Sequence, residues 1–112
     1  MDEATLLRQA LALIEEKKGG EPVVIDLRDV SVPTSYFVIT HGDTSAQVKA
    51  IVSSLLEKMP TKVSSSEGLP ERRWAVLDYG DVVVHVFLKD AREFYDIESL
   101  WSDRIVADPG AV

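Results

Sequence analysis

The sequence predicts one α/β (α+β) domain, with a single mixed β-sheet and helices packed on it in the order α-β-β-α-β-β-β-α. Two segments repeat apolar residues at the spacing of a helix that is apolar along one stripe. Between and after them lie short segments rich in β-branched and aromatic residues, which favour strands. A chain of 112 residues has the length of one domain.

The first helix is predicted over residues 3–18, with Asp2 as its N-cap and Gly19 and Gly20 ending it. Its apolar stripe consists of Leu6, Leu7, Ala10, Leu11, Leu13 and Ile14. Pro22 opens the first strand, in which apolar and polar residues alternate from Val23 onward. "YFVITH", residues 36–41, predicts the second strand, and Gly42 ends it.

The second helix begins at a cap formed by Thr44 or Ser45 and closes at Pro60. Its apolar face consists of Val48, Ile51, Val52, Leu55, Leu56 and Met59. The polar segment 61–73 is predicted as a loop, with a short third strand at its start.

"WAVLDYGDVVVHVFL", residues 74–88, predicts a hairpin that turns at Tyr79-Gly80. Asp90 is expected to cap a terminal helix, "AREFYDIESLW". The domain therefore covers residues 1–104, and residues 105–112 form a C-terminal tail that frays.

Composition limits the classes of function. The formal net charge is −7 and the isoelectric point about 4.7, which disfavours direct nucleic-acid binding. Such a charge suits a basic protein partner, although charge alone more often serves solubility. The absence of cysteine excludes disulfides, and no apolar run approaches the roughly 20 residues of a membrane span. Since the N-terminus also lacks the pattern of a signal peptide, a cytoplasmic protein is expected.

No motif for catalysis or for a metal stands out. His41 and His85 are the two histidines, and His85 lies in a valine-rich strand, where a structural role is favoured. "GDTS" before the second helix is interpreted as a helix cap rather than a phosphate site. Asp78 and Asp81 flank the hairpin turn, where aspartate commonly bonds its own backbone. Trp74 follows a charged loop, and core and interface roles are equally supported for it.

Four blocks of the chain resemble the ribosomal silencing factor RsfS family, also called Iojap or YbeB. The blocks are "SYFVITHGDTSAQVKAI", "EG", "WAVLDYGDVVVHVF" and "AREFYDIESLW", and the resemblance covers residues 3 to 102. Matching positions are Tyr36, Phe37, Val38, Ile39, Gly42, Ser45, Glu67, Gly68, Trp74, Leu77, Asp78, Gly80, Asp81, Val84, His85, Arg92, Tyr95, Glu98, Leu100 and Trp101. Ser35 is a departure, because the family usually has aspartate there.

The resemblance implies a nucleotidyltransferase-like topology without the catalytic carboxylates, no enzymatic activity and no cofactor. It implies binding to the large ribosomal subunit through ribosomal protein uL14, a block to small-subunit joining, and repression of translation under nutrient limitation. The contact residues that the resemblance implies are Glu67, Trp74, Asp78, Tyr79, Arg92 and Tyr95. Trp74 and Asp78 lie four residues apart on one predicted strand and therefore face the same way, and Val76 between them is predicted to extend that face. Two alternatives stay open, namely an unusual nucleotide-handling enzyme of the same fold and a homodimeric interaction domain with another target. A homodimer in the free state also stays open.

Overall fold

The structure, a computed structural model that describes residues 2–107, contains one five-stranded sheet with the strand order β1-β2-β5-β4-β3. The strands are β1 Gly20–Asp26, β2 Tyr36–Gly42, β3 Ser65–Glu67, β4 Trp74–Asp78 and β5 Val82–Leu88. The helices are α1 Glu3–Glu16, α2 Ser45–Lys58, α3 Lys89–Tyr95 and α4 Ile97–Leu100, followed by a short 3₁₀ turn at Ser102–Arg104.

The sheet is mixed, which confirms the predicted fold class. β2 and β5 run parallel in its centre, while β1 pairs with β2, β4 with β5 and β3 with β4 in antiparallel fashion. A parallel pair needs a long crossover, and α2, β3 and β4 supply it. β5 lies in the middle of the sheet, and the side chains of Val82 to Phe87 are all buried.

α1 and α2 cover one side of the sheet and enclose the main core. Their buried stripes meet the side chains that alternate toward them from every strand except β3. From the sheet these include Val24, Tyr36, Val38, Ala75, Leu77, Val82, Val84 and Val86. Asp2 caps α1 by accepting the Thr5 N–H at 2.8 Å, as the sequence predicts.

α3 lies against the other side of the sheet over a smaller apolar cluster. Its buried members are Ile25, Leu27, Ile39, Phe87 and Ala91. Because α3 has seven residues and begins directly at the end of β5, it covers only part of this side. The half-exposed remainder, around β4, carries the candidate site.

Several predicted boundaries are wrong by a few residues. α1 ends at Glu16 rather than residue 18, and β1 starts at Gly20, ahead of Pro22. β3 lies at residues 65–67 rather than at the start of the polar loop, because it forms where the chain reaches the edge of β4. The hairpin loop consists of Gly80 and Asp81, since the Tyr79 N–H donates to the Val82 carbonyl at 2.9 Å.

The terminal helix differs from its prediction in two ways. It begins at Lys89, and its N-cap is Leu88 without a side-chain cap, so Asp90 lies in the first turn and does not cap it. Asp96 interrupts the helix with a positive φ of 45°, which separates α3 from α4.

Two residues of the predicted tail are attached to the sheet. Ile105 forms an antiparallel bridge with Ile25, and the Val106 N–H donates to the Val24 carbonyl at 2.9 Å. These two residues are therefore paired with β1 rather than frayed. Residues 108–112 of the predicted tail lie outside the described residues. Within residues 2–107, no helix combines the length and apolarity needed to cross a membrane.

Candidate functional site

β4 divides its side chains between the core and an open surface. Ala75 and Leu77 are buried under the helices, whereas Trp74, Val76 and Asp78 are half-buried on the opposite side. The predicted shared face of these three residues is confirmed, because side chains two apart on a strand point the same way.

β3 adds Glu67 to this surface. Glu67 pairs directly with Val76 across the antiparallel ladder, so the two side chains lie side by side, and Glu67 is exposed. Gly68 follows with a φ of 74°, and a Cβ on it would lie 2.0 Å from the Trp74 carbonyl oxygen. The close approach of this loop to β4 therefore requires glycine.

Tyr95 of α3 completes the surface from the other side of Trp74. The centroids of the two rings lie 4.8 Å apart, and Phe87 stacks on the indole at 4.9 Å with an interplanar angle of 26°. Tyr95 is 45% exposed. We call Glu67, Trp74, Val76, Asp78 and Tyr95 the β4 face. It combines aromatic and apolar groups with two carboxylates, which suits a partner with apolar and basic side chains.

Tyr79 does not belong to this surface, so its expected display there is wrong. It is 6% exposed, it packs in the main core, and its hydroxyl donates to the Leu55 carbonyl of α2 at 3.1 Å. Burial raises the pKa of Tyr79 to about 12. The physical reason is the alternation of the strand, since a residue next to Asp78 points to the opposite side.

Arg92 is also buried, and it joins elements instead of facing a partner. Its guanidinium donates to Glu98 at 2.7 Å, to the carbonyls of Gly20 and Glu21 at 2.9 and 2.8 Å, and lies 2.8 Å from His41 Nδ1. Burial, followed by the charge of Arg92, lowers the pKa of His41, so a neutral ring accepts this bond. Arg92 therefore ties α3 and α4 to β1 and β2.

His85 is a buried structural histidine with a bonded ring nitrogen, as the sequence predicts. Its Nδ1 accepts the indole N–H of Trp74 at 3.1 Å. The ring lies within the buried central strand β5, and burial lowers its pKa to about 4. The aromatic part of the β4 face is thus bonded to the interior of the sheet.

Phe94 and Leu100 are exposed apolar residues that the predicted set of contact residues does not include. Phe94 is 75% exposed and meets Tyr95 edge to face at 5.1 Å, and Leu100 is 76% exposed. Phe94 is the neighbour of Tyr95 in the sequence, which is the signal that could have included it. Because the helix breaks at Asp96, the helical spacing of α3 does not continue to Leu100, and the sequence pattern could not predict the exposure of that residue.

The loop before α2 has the geometry of a helix cap. The Gln47 N–H donates to the Thr44 hydroxyl at 3.2 Å, and the Asp43 N–H donates to the Gln47 side-chain oxygen at 2.8 Å. Among residues 2–107, no group of three or more acidic or histidine side chains is placed to hold a metal ion.

Asp78 accepts the Gly80 N–H at 2.7 Å, so this carboxylate stabilises the hairpin turn.

Comparison with known proteins gives one consistent result. A family model described as ribosomal silencing factor during starvation (RsfS) matches residues 1–111. A protein named ribosomal silencing factor RsfS from Bacillus subtilis is 37% identical over 111 residues, which cover 96% of this chain and 94% of the relative. Protein Iojap, chloroplastic, from Zea mays is 35% identical over 91% of this chain and 47% of its own length.

Solved structures agree in fold. A crystal structure of a protein from Chromobacterium violaceum superposes with a TM-score of 0.85 at 32% identity, covering 91% of this chain and 88% of that one. A crystal structure of a protein from Bacillus halodurans gives a TM-score of 0.79 at 35% identity over 92% of this chain and 97% of that one.

Proposed function

The chain belongs to the family of ribosomal silencing factors, and from this premise we propose that it binds the large ribosomal subunit through ribosomal protein uL14. Bound there, it blocks joining of the small subunit and lowers translation when nutrients are limiting. It acts by occupying a surface, as a regulator rather than an enzyme.

The observation that carries the proposal is the aromatic cluster on the β4 face. Trp74 is half-buried between Phe87 and Tyr95, with ring centroids 4.9 and 4.8 Å away. A large ring held by its neighbours, but still partly exposed, binds a partner with little loss of conformational entropy. Trp74 is held by the antiparallel pairing of β4 with the central strand β5.

Charge supports a basic partner. The chain carries 19 acidic and 12 basic residues, and Glu67 and Asp78 place carboxylates on the β4 face. Lysine or arginine side chains of the partner would form charge-assisted hydrogen bonds with them, around the apolar contact at Trp74.

The alternative of a nucleotide-handling enzyme has less support. Its phosphate site would use the start of α2, where side chains of the chain itself occupy the N–H groups of Asp43 and Gln47. The alternative predicts magnesium-dependent nucleotide binding by the purified protein, which the occluding mechanism does not require.

Sedimentation with purified large subunits tests the proposal. The native chain should pellet with large subunits and should inhibit their joining to small subunits. Trp74→Ala should weaken binding by about 2 kcal/mol or more, or roughly 30-fold, while the fold survives. Leu56→Ala is the matched control, because Leu56 is also a partly exposed apolar residue but lies on α2, across the sheet.

Each result has a defined consequence. A native chain that stays in the supernatant would reject the ribosomal target and favour the homodimeric alternative. A stable Trp74→Ala variant that binds and inhibits like the native chain would move the interface away from the β4 face. Equal losses for Trp74→Ala and Leu56→Ala would indicate a general effect of removing apolar surface.

A further inference from the structure

The indole of Trp74 has its polar group directed inward. Its N–H donates to Nδ1 of His85 at 3.1 Å, while its ring rests on Phe87 with an interplanar angle of 26°. His85 belongs to β5, lies diagonally across from Trp74 in the hairpin register, and is buried. The ring of Phe37 meets that of His85 edge to face at 4.8 Å.

This bond fixes the tautomer of His85. An indole nitrogen is a donor and never an acceptor, so Nδ1 of His85 must carry the lone pair and Nε2 the proton. Among the described residues, Nε2 is buried without a hydrogen-bond partner. An unpaired buried N–H is unfavourable, so the imidazole adds no net polar stabilisation on that side. Its specific contribution is the acceptor that it offers to Trp74.

From this geometry we infer that His85 is a positioning residue for ribosome binding, which holds the indole of Trp74 so that it presents carbon surface and not its N–H on the β4 face. The inference rests on the proposed function for the identity of the partner. His85 is buried, so it acts through Trp74 without touching the partner.

The bond from Trp74 to His85 also defines the chemistry of the contact at Trp74. Because the indole N–H is already bonded within the chain, a carboxylate or carbonyl of the partner gains no hydrogen bond there. An aliphatic side chain or a guanidinium gains contact with the exposed part of the ring. The carboxylates of Glu67 and Asp78 lie on the same side of the sheet and favour a basic group.

Two substitutions of His85 separate the acceptor from the bulk of the ring. His85→Leu keeps a similar apolar volume and removes the acceptor. His85→Asn restores an acceptor, because an asparagine side-chain oxygen reaches approximately the position of Nδ1. Val86→Ala is the control for lost stability, since Val86 is the next residue in β5 but is buried on the side covered by α1 and α2.

The positioning is measured on the free chain by the indole N–H signal of Trp74 in NMR spectra. Trp74→Phe identifies this signal, because Trp101 gives a second one. In His85→Leu the Trp74 proton should exchange with water about tenfold faster, and in His85→Asn the exchange should return toward the native rate. Val86→Ala should lower the melting temperature and leave the indole exchange near the native rate.

Binding is measured with the same variants and purified large subunits. His85→Leu should reduce affinity about fivefold, mainly through faster dissociation, and His85→Asn should recover most of that loss. Native indole exchange in His85→Leu would overturn the inference. So would faster exchange with unchanged affinity, or a loss of affinity in Val86→Ala as large as in His85→Leu.

The two measurements also separate this inference from the proposed function. If the native chain did not bind large subunits, the proposed function would fail, and with it the ribosomal role of His85. The indole exchange would still decide whether His85 orients Trp74, because that measurement needs no partner.

Discussion

At the scale of single residues, Asp78 has a structural role and a proposed binding role at the same time. Its carboxylate accepts the Gly80 N–H at 2.7 Å within the hairpin turn, and its side chain lies on the β4 face beside Val76. Gly80 takes a φ of 88° in that turn. The turn needs an acceptor oxygen at residue 78, whereas a basic partner needs a negative charge, so the two roles are separable by substitution.

Asp78→Asn and Asp78→Ala should therefore differ in stability and agree in binding. Asparagine keeps the acceptor for the Gly80 N–H, so its free energy of unfolding should remain within about 0.5 kcal/mol of the native value, whereas alanine should lose about 1 kcal/mol. Both remove the charge and should weaken binding to large subunits about tenfold. Thermal unfolding and sedimentation check this, and native binding by Asp78→Asn would restrict Asp78 to the turn.

At the scale of elements, the buried side chain of Arg92 fixes the position of α3 through hydrogen bonds, while Ala91 packs on the apolar cluster beneath it. Arg92 connects it to Glu98 of α4 and to the carbonyls of Gly20 and Glu21 at the start of β1. A helix of seven residues is too short to be stable alone, so its position depends on such tertiary bonds. The same helix carries Tyr95, so Arg92 supports the β4 face without belonging to it.

Arg92→Met should destabilise the protein by about 2–3 kcal/mol, because it leaves buried carbonyls and a carboxylate without their donor. Backbone amides of α3 should lose hydrogen-exchange protection before those of α2. Arg73→Met is the matched control, since Arg73 pairs with Asp90 at 3.6 Å at the surface and should cost less than about 0.5 kcal/mol. Chemical denaturation and hydrogen exchange measure both effects, and similar losses in the two variants would argue against the network.

At the scale of the whole molecule, the net charge of −7 makes association sensitive to salt. Exposed charges separated by more than about 10 Å are screened at 0.1 M salt, and attraction between opposite charges acts chiefly on the association rate. Binding to large subunits should therefore slow about tenfold between low and moderately high salt, with a smaller change in dissociation. A variant with Glu67→Gln and Asp78→Asn should show a weaker dependence, and an association rate independent of salt would exclude an electrostatic interface.

The sequence by itself determined most of the elements and their order along the chain, apart from the position of β3 and the division of the terminal helix. Each signal that located these elements depends on residues close together in the chain. The signals include the helical periodicity of residues 3–18, the β-branched and aromatic residues of "YFVITH", the cap at Asp2 and the turn at Gly80. The sequence also placed Trp74, Val76 and Asp78 on one side of a strand, because the alternation of side chains is a local property. The resemblance to a family supplied the expected partner, which periodicity does not contain.

The tertiary structure decided which side of each element is covered. Tyr79 and Arg92 were expected at the surface, but α2 covers the first, and β1 and α4 enclose the second. The bond from Trp74 to His85 depends on the register of the hairpin, since a shift by one residue would turn His85 to the opposite side. Such contacts join residues far apart in the chain, and only the packing of the elements brings them together.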